Sequence, residues 1–255
     1  MSAEVPKSKL PLRVTIIAAL AVCAAAVTWV LTDRLWQPSP SLPVVVETTL
    51  DQAQPAAAAQ ADFGDEVPSP DLRRLVNWIV TTSDHARAPF FVIDKPKARL
   101  LVFDGQGRLQ GAASVLLGLA LGDDSVPGIG ERPLADILPE ERTTPAGRFV
   151  AERGLNLRNE SVVWVDYDAA VSMHPVLTTN PAERRLERLA SRNVQDKRIS
   201  KGCINVPASF FEAMVHPPVY SGAKVIIYVL PDTRPLLAIF PALDGQAKVS
   251  AKGVL

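Results

Sequence analysis

Leu72, Leu75, Val76, Ile79 and Val80 recur three and four residues apart, which puts them on one stripe of a helix opening near Asp71. From Pro89 the period shortens. Residues 90–93 (FFVI) and 100–103 (LLVF) are short apolar runs of aromatic, β-branched and leucine residues, with Asp94-Lys95-Pro96-Lys97 as the turn between them. Asp104-Gly105-Gln106-Gly107 is a second turn, leading into residues 108–120, so an antiparallel meander is expected here. Residues 121–142 carry Pro127, Pro133 and Pro139 with three glycines and read as loop. Further strands are expected over 148–152, 162–167, 170–174 and 224–230. Short helices are expected over 207–215 and over 181–191, where Asn180 is a good N-cap and Pro181 suits the first turn. The pattern predicts a mainly β domain with short helices over residues 71–235, long enough for one sizeable core.

Two flanking segments differ from this domain. Residues 14–31 are 18 positions without a charge, close to the ~20 needed to span a bilayer. Lys7, Lys9 and Arg13 precede them, so residues 1–36 are expected to be a cytoplasmic N-terminus and a single inner-membrane anchor, with the remainder in the periplasm or cell envelope. A cleaved signal peptide is the alternative, with Ala24–Ala26 as its small-residue site; the apolar run continues past a usual signal core to Leu31. Residues 37–70 hold Pro38, Pro40, Pro43, Pro55, Pro68 and Pro70 and the run Ala56–Ala59, and are expected to be an extended linker. Residues 236–255 form a C-terminal tail.

Composition narrows the function. Lys plus Arg and Asp plus Glu both number 27, so a nucleic-acid module driven by phosphate neutralisation is disfavoured. Two cysteines exclude a disulfide framework and a cysteine-based zinc site. Cys23 lies in the membrane segment, leaving Cys203 as the single thiol of the exported part. Such a thiol is an oxidation hazard, and it is either a small core residue or a nucleophile. Gly202 before it permits close backbone approach, so neighbouring N–H groups are candidates for an oxyanion site. A thiol nucleophile needs a base. Of the three histidines, His85 and His216 read as surface residues, while His174 ends a predicted strand, facing either solvent or the thiol.

These residues fall into three ordered blocks: Thr144-Pro145-Ala146-Gly147-Arg148-Phe149, His174, and Ser200-Lys201-Gly202-Cys203-Ile204-Asn205. Together they resemble the L,D-transpeptidase (YkuD) catalytic domain, whose blocks read TPxGxF, an upstream His and [S/T]HGC followed by an apolar residue and Asn. Phe91–Lys95 and Leu101–Asp104 are similar to that domain's opening hairpin. The resemblance covers about residues 89–231. It implies a β-sandwich-like fold, with Cys203 as nucleophile, His174 as base and Gly202 in the oxyanion site. The implied reaction is attack on the diaminopimelate carbonyl of a peptidoglycan tetrapeptide stem, loss of D-Ala, and transfer to an amine.

The chain departs from that pattern. Lys201 stands where the signature has His, Pro175 follows His174, and the 29 residues from His174 to Cys203 exceed the usual interval, consistent with an inserted helix. Lys201 is expected either to favour thiolate, to bind a stem carboxylate, or to point into solvent. Lys201, Ser200 and Asn205 are the candidate substrate-binding residues; Ser200 and Asn205 also suit a role in holding the loop. Gly147 suits a tight turn. Arg184, Arg185 and Arg188 on the inserted helix are either a solvated face shared with Glu183 and Glu187 or a guide for anionic stems. Gly128-Ile129-Gly130 lacks the third glycine and helix of a nucleotide loop. No metal or cofactor is implied. Peptidoglycan stem peptides are the expected partner, with two rival readings: a thiol peptidase resolved by water, and an inactive peptidoglycan-binding module.

Overall fold

The computed structural model describes residues 60–244. The predicted anchor at 14–31, most of the predicted linker and the end of the tail lie outside the described residues. Among the described residues, no helix is long and apolar enough to cross a membrane.

The first helix, α1 (Pro70–Thr82), begins where Ser69 accepts the Leu72 N–H at 3.2 Å and stops at Ser83, whose left-handed backbone returns its N–H to Ile79 and Val80. Its buried face is the predicted stripe: Leu72, Leu75, Val76, Ile79 and Val80. The meander follows as β1 (Phe90–Asp94), β2 (Arg99–Phe103) and β3 (Leu109–Ser114), all antiparallel. A two-residue strand, β4 (Leu117–Gly118), precedes the long loop. The predicted strand over 148–152 is two strands. β5 (Gly147–Val150) belongs to the first sheet and β6 (Glu152–Leu155) to the second, so the chain changes sheet at Ala151. β7 (Ser161–Asp166) and β8 (Val171–Pro175) continue the second sheet.

The insertion carries a 3-10 turn at Pro181–Glu183, a left-handed break at Arg184 and α2 (Arg185–Ala190), so the single helix expected over 181–191 is kinked. β9 (Arg198–Ser200) pairs with β4, and β10 (Ile204–Val206) pairs in parallel with β8. The helix expected to end at Val215 runs on as α3 (Ala208–Phe210), a π turn (Phe211–Val215) and α4 (His216–Tyr220). Pro217 and Pro218 lack N–H groups, and the wide turn before them lets the chain stay helical without those donors. β11 (Ile226–Val229) and α5 (Leu236–Ile239) complete the fold.

The five-stranded sheet runs β3-β2-β1-β11-β5 and the four-stranded sheet β10-β8-β7-β6. Alternation along β1 explains the layering. Phe91 and Ile93 face the second sheet and pack with Val163, Met173 and Ile204, whereas Phe90 and Val92 face α1 and pack with Leu75 and Ile79. Two stacked sheets with a helical layer outside therefore replace the mainly β expectation, with about 29% helix against 27% strand. The folded body also exceeds residues 71–235. Phe63, from the predicted linker, sets its ring edge on Phe103 at 5.6 Å, and Leu236, Phe240 and Leu243, from the predicted tail, are buried in the helical layer. His85, read as a surface residue, is buried. Its ring nitrogens lie 3.2 Å and 3.1 Å from the carbonyls of Ile79 and Gly105, tying the end of α1 to the β2–β3 turn.

Lys95, in the first hairpin turn, is fully buried. Its ammonium donates to the carbonyls of Gly122 at 2.7 Å and Thr144 at 2.8 Å and to Asp123 Oδ1 at 2.9 Å, with Asp232 at 3.4 Å. Arg198 completes the cluster with a two-pronged grip on Asp232 (3.0 and 2.6 Å) and a bond to the Lys95 carbonyl at 3.1 Å. Asp123 also accepts the backbone N–H groups of Asp232, Thr233 and Arg234. Burial raises the Asp123 carboxyl, but these donors and Lys95 outweigh it and hold it well below the usual carboxylate range.

Two outcomes follow. Lys95→Met takes the bonded cation from buried Asp123 and the donor from the Gly122 and Thr144 carbonyls, while Asp232 keeps Arg198, and is expected to cost about 3–5 kcal/mol, read from the denaturant midpoint. Because the folded-state value of Asp123 is depressed, the stability it contributes is complete above the ordinary carboxylate range and is lost as pH falls through and below it. Asp123→Asn should flatten that part of the stability–pH curve measured by chemical denaturation.

Candidate active site

Register builds the site. In the parallel β8–β10 pair, Met173 faces Ile204 and His174 faces Asn205. His174 and Asn205 lie on the surface of the second sheet opposite the core residues Met173 and Ile204. Ser172 and Cys203, two residues before each, fall on that same surface. The Ser172 hydroxyl is 3.6 Å from Cys203 Sγ, and Sγ lies 3.7 Å from the Ala170 carbonyl.

The loop that presents Cys203 is held from within. Ser200 Oγ donates to the Cys203 carbonyl at 2.6 Å and accepts the Gly202 N–H at 3.1 Å. Thr144, fully buried, donates its hydroxyl to the Gly202 carbonyl at 2.8 Å and accepts the Gly118 N–H at 2.9 Å. The TPxGxF-like block therefore braces the loop that carries Cys203. Gly202 has φ +126°, and a Cβ there would lie 2.9 Å from the Thr143 carbonyl oxygen, so glycine is required on both counts.

His174, two residues on from Ser172 on the same face of β8, is close enough to the thiol for each group to act on the other's titration. Burial pushes the Cys203 thiol up, but hydrogen bonding to His174, the imidazole's charge, and the Ser172 N–H and hydroxyl together bring it below its ordinary value. Burial lowers His174, and its interaction with Cys203 and the Pro175 carbonyl more than restores it, leaving it raised. Each group thus favours the charged form of the other. The imidazole's partners are Pro175, whose carbonyl lies 2.8 Å from Nδ1, and Asn205, whose Nδ2 lies 3.2 Å from Nε2.

The structure brings together Cys203, His174, Gly202, Ser200 and Asn205. Ser200 and Asn205 are buried and bonded within the protein, where Ser200 holds the loop, as the loop-holding expectation has it, and Asn205 meets the imidazole. The Gly202 N–H, expected to face an oxyanion, is bonded to Ser200 Oγ. Lys201 is exposed, and its ammonium donates to the Leu134 carbonyl at 2.6 Å. Arg184 pairs with Glu187, and Arg188 donates to the carbonyls of Glu183 and Asp196, so neither is free as an anion guide. Arg185 instead reaches the sheet and donates to Asn205 Oδ1. Sequence reasoning missed Ser172, and it missed the roles of Thr144 as a loop brace and of Arg185 as a partner of Asn205. Ser172, two residues before His174 on the same strand, had a period-two signal; the other two depend on tertiary contacts. Among the described residues, no cluster of His, Cys, Asp or Glu is arranged to hold a metal ion.

No family model matches the chain, and no curated protein matches it. Among solved structures, it is similar to the helical cell shape determining protein Pgp2 from Campylobacter jejuni, at 15% identity and a TM-score of 0.39. That likeness covers 58% of this chain and 49% of the other, so this chain spans about half the length of that structure.

The lowered thiol has a direct consequence. Alkylation of Cys203, followed by peptide mass mapping to separate it from Cys23, should persist to lower pH than for an ordinary thiol. His174→Ala removes the main lowering influence while leaving burial, so its reactivity midpoint should move up. An unchanged midpoint would show that the imidazole does not act on the thiol.

Proposed function

We propose that this protein is a cysteine acyltransferase of the L,D-transpeptidase type, acting on peptidoglycan stem peptides in the cell envelope. The observation that carries the reading is the half-buried Cys203–His174 pair on the face of the second sheet away from the core, with Cys203 in a loop whose residues, Lys201 apart, resemble the family's signature. In this reading the Cys203 proton passes to His174 as Sγ bonds to the diaminopimelate carbonyl carbon. The carbonyl oxygen takes the electron pair, with the backbone N–H of Cys203 as the candidate donor, since that of Gly202 is bonded to Ser200 Oγ. Collapse breaks the bond to D-Ala, whose nitrogen leaves with the proton from His174, and a thioester remains. An acceptor amine then attacks the thioester carbonyl and regenerates the thiol. The residues that match the family's signature are the grounds for the substrate class, and residues 14–31 are the grounds for inner-membrane anchoring.

Resolution by water would give a stem-trimming peptidase from the same residues. Product analysis separates the two. With a diaminopimelate-containing tetrapeptide muropeptide and an amine acceptor, the full chain should release D-Ala and yield an acceptor-linked product, and Cys203→Ala should abolish both. Free tripeptide as the sole product would replace the transferase with a hydrolase. No release of D-Ala by a folded protein with a reduced thiol would leave a binding module.

A further inference from the structure

The insertion between β8 and β10 sends one side chain back to the site. Arg185, at the start of α2, is only 16% exposed and lies between Glu183 and Asn205. A guanidinium carries only donors, so the Asn205 amide must offer it Oδ1. That leaves Nδ2, a donor, facing His174 Nε2. Nε2 must then be an acceptor, and the ring proton of neutral His174 resides on Nδ1, where the Pro175 carbonyl receives it at 2.8 Å. Every link has one permitted polarity, and Arg185 sets it.

We infer that Arg185 is a positioning residue that fixes the tautomer of His174 through Asn205 and makes the imidazolium form less stable. The inference deepens the acyl-transfer reading by assigning control of its proton carrier. When Nε2 takes the thiol proton, its new N–H points at the Asn205 N–H. Turning the amide over would relieve this, but it would set NH2 against the guanidinium. The charge of Arg185 acts in the same direction and lowers His174, against the raising influence of Cys203. The charged and titratable groups facing the ring are thus Cys203 from the β9–β10 loop and Arg185 from α2, with Glu183 partly neutralising the latter. An imidazolium held this way is a stronger acid, suited to handing its proton to the departing amine rather than settling into a lasting ion pair with the thiolate.

The test does not need turnover, so it stands or falls separately from the acyl-transfer reading. The full chain contains three histidines, so imidazole 15N shifts of histidine-labelled protein can be assigned with His85 and His216 variants. Above its titration, unaltered His174 should show the Nδ1–H tautomer. Arg185→Met should raise the His174 midpoint and mix the tautomers, and Arg185→Lys, which keeps the charge without the fork, should fall between. An Nε2–H tautomer in the unaltered protein would overturn the inference without any variant. So would a midpoint and tautomer that do not change in folded Arg185→Met.

Discussion

The buried ammonium of Lys95 is the constraint on which the rest of the structure depends. It joins three segments far apart in sequence: the first hairpin, the loop at Gly122–Asp123, and the strand entry at Thr144. A buried cation is tolerated only when its charge is met and its donors are used, and here two carboxylates and two carbonyls meet both demands. Thr144 carries the constraint onward. Its carbonyl is held by Lys95 while its hydroxyl holds the Gly202 carbonyl, so the position of the Cys203 loop is referred back to the core of the first sheet. The loop over residues 121–142 has little regular structure, and this cluster, rather than apolar burial, fixes its ends.

The site itself is a product of sheet register. β8 and β10 run in parallel, so a two-residue step brings Ser172 opposite Cys203 and His174 opposite Asn205 on one surface. A one-residue slip of β10 against β8 would turn Cys203 and Asn205 toward the core and bring Ile204 out, which the apolar packing between the sheets forbids. The precision of the thiol–imidazole pair therefore derives from the hydrophobic pattern of the strands. The insertion then adds what the sheet alone does not supply, a donor from α2 that orients the Asn205 amide.

Much of this was legible in the residues. The stripe of α1, the meander and the closing strand follow directly from period and turn chemistry. Cys203 and His174 stood out because the chain has so few thiols and imidazoles. Other features were hidden for physical reasons. Phe63 lies in a segment rich in Pro, Ala and polar residues, and the run Leu236–Phe240 is apolar enough to pack back but carries no sign of where, because both pack into a helical layer that only the folded chain creates. Lys95 looked like a turn residue because its partners are 28 and 49 positions away. His85 looked exposed because the helix end it occupies is covered by a turn 20 residues on. Lys201 drew attention by its place in the signature, yet in an exposed loop its direction is set by a carbonyl at Leu134 rather than by the thiol.

The central claim is that Cys203 forms a covalent acyl bond with a stem peptide. Acid-quenched intact mass, taken seconds after mixing the full chain with the tetrapeptide substrate, tests it most directly. The account predicts a mass gain equal to the substrate minus D-Ala, mapped to the peptide containing Cys203 and discharged by an added amine. A protein that releases D-Ala while carrying no adduct at Cys203, or one whose adduct maps to another residue, would contradict it.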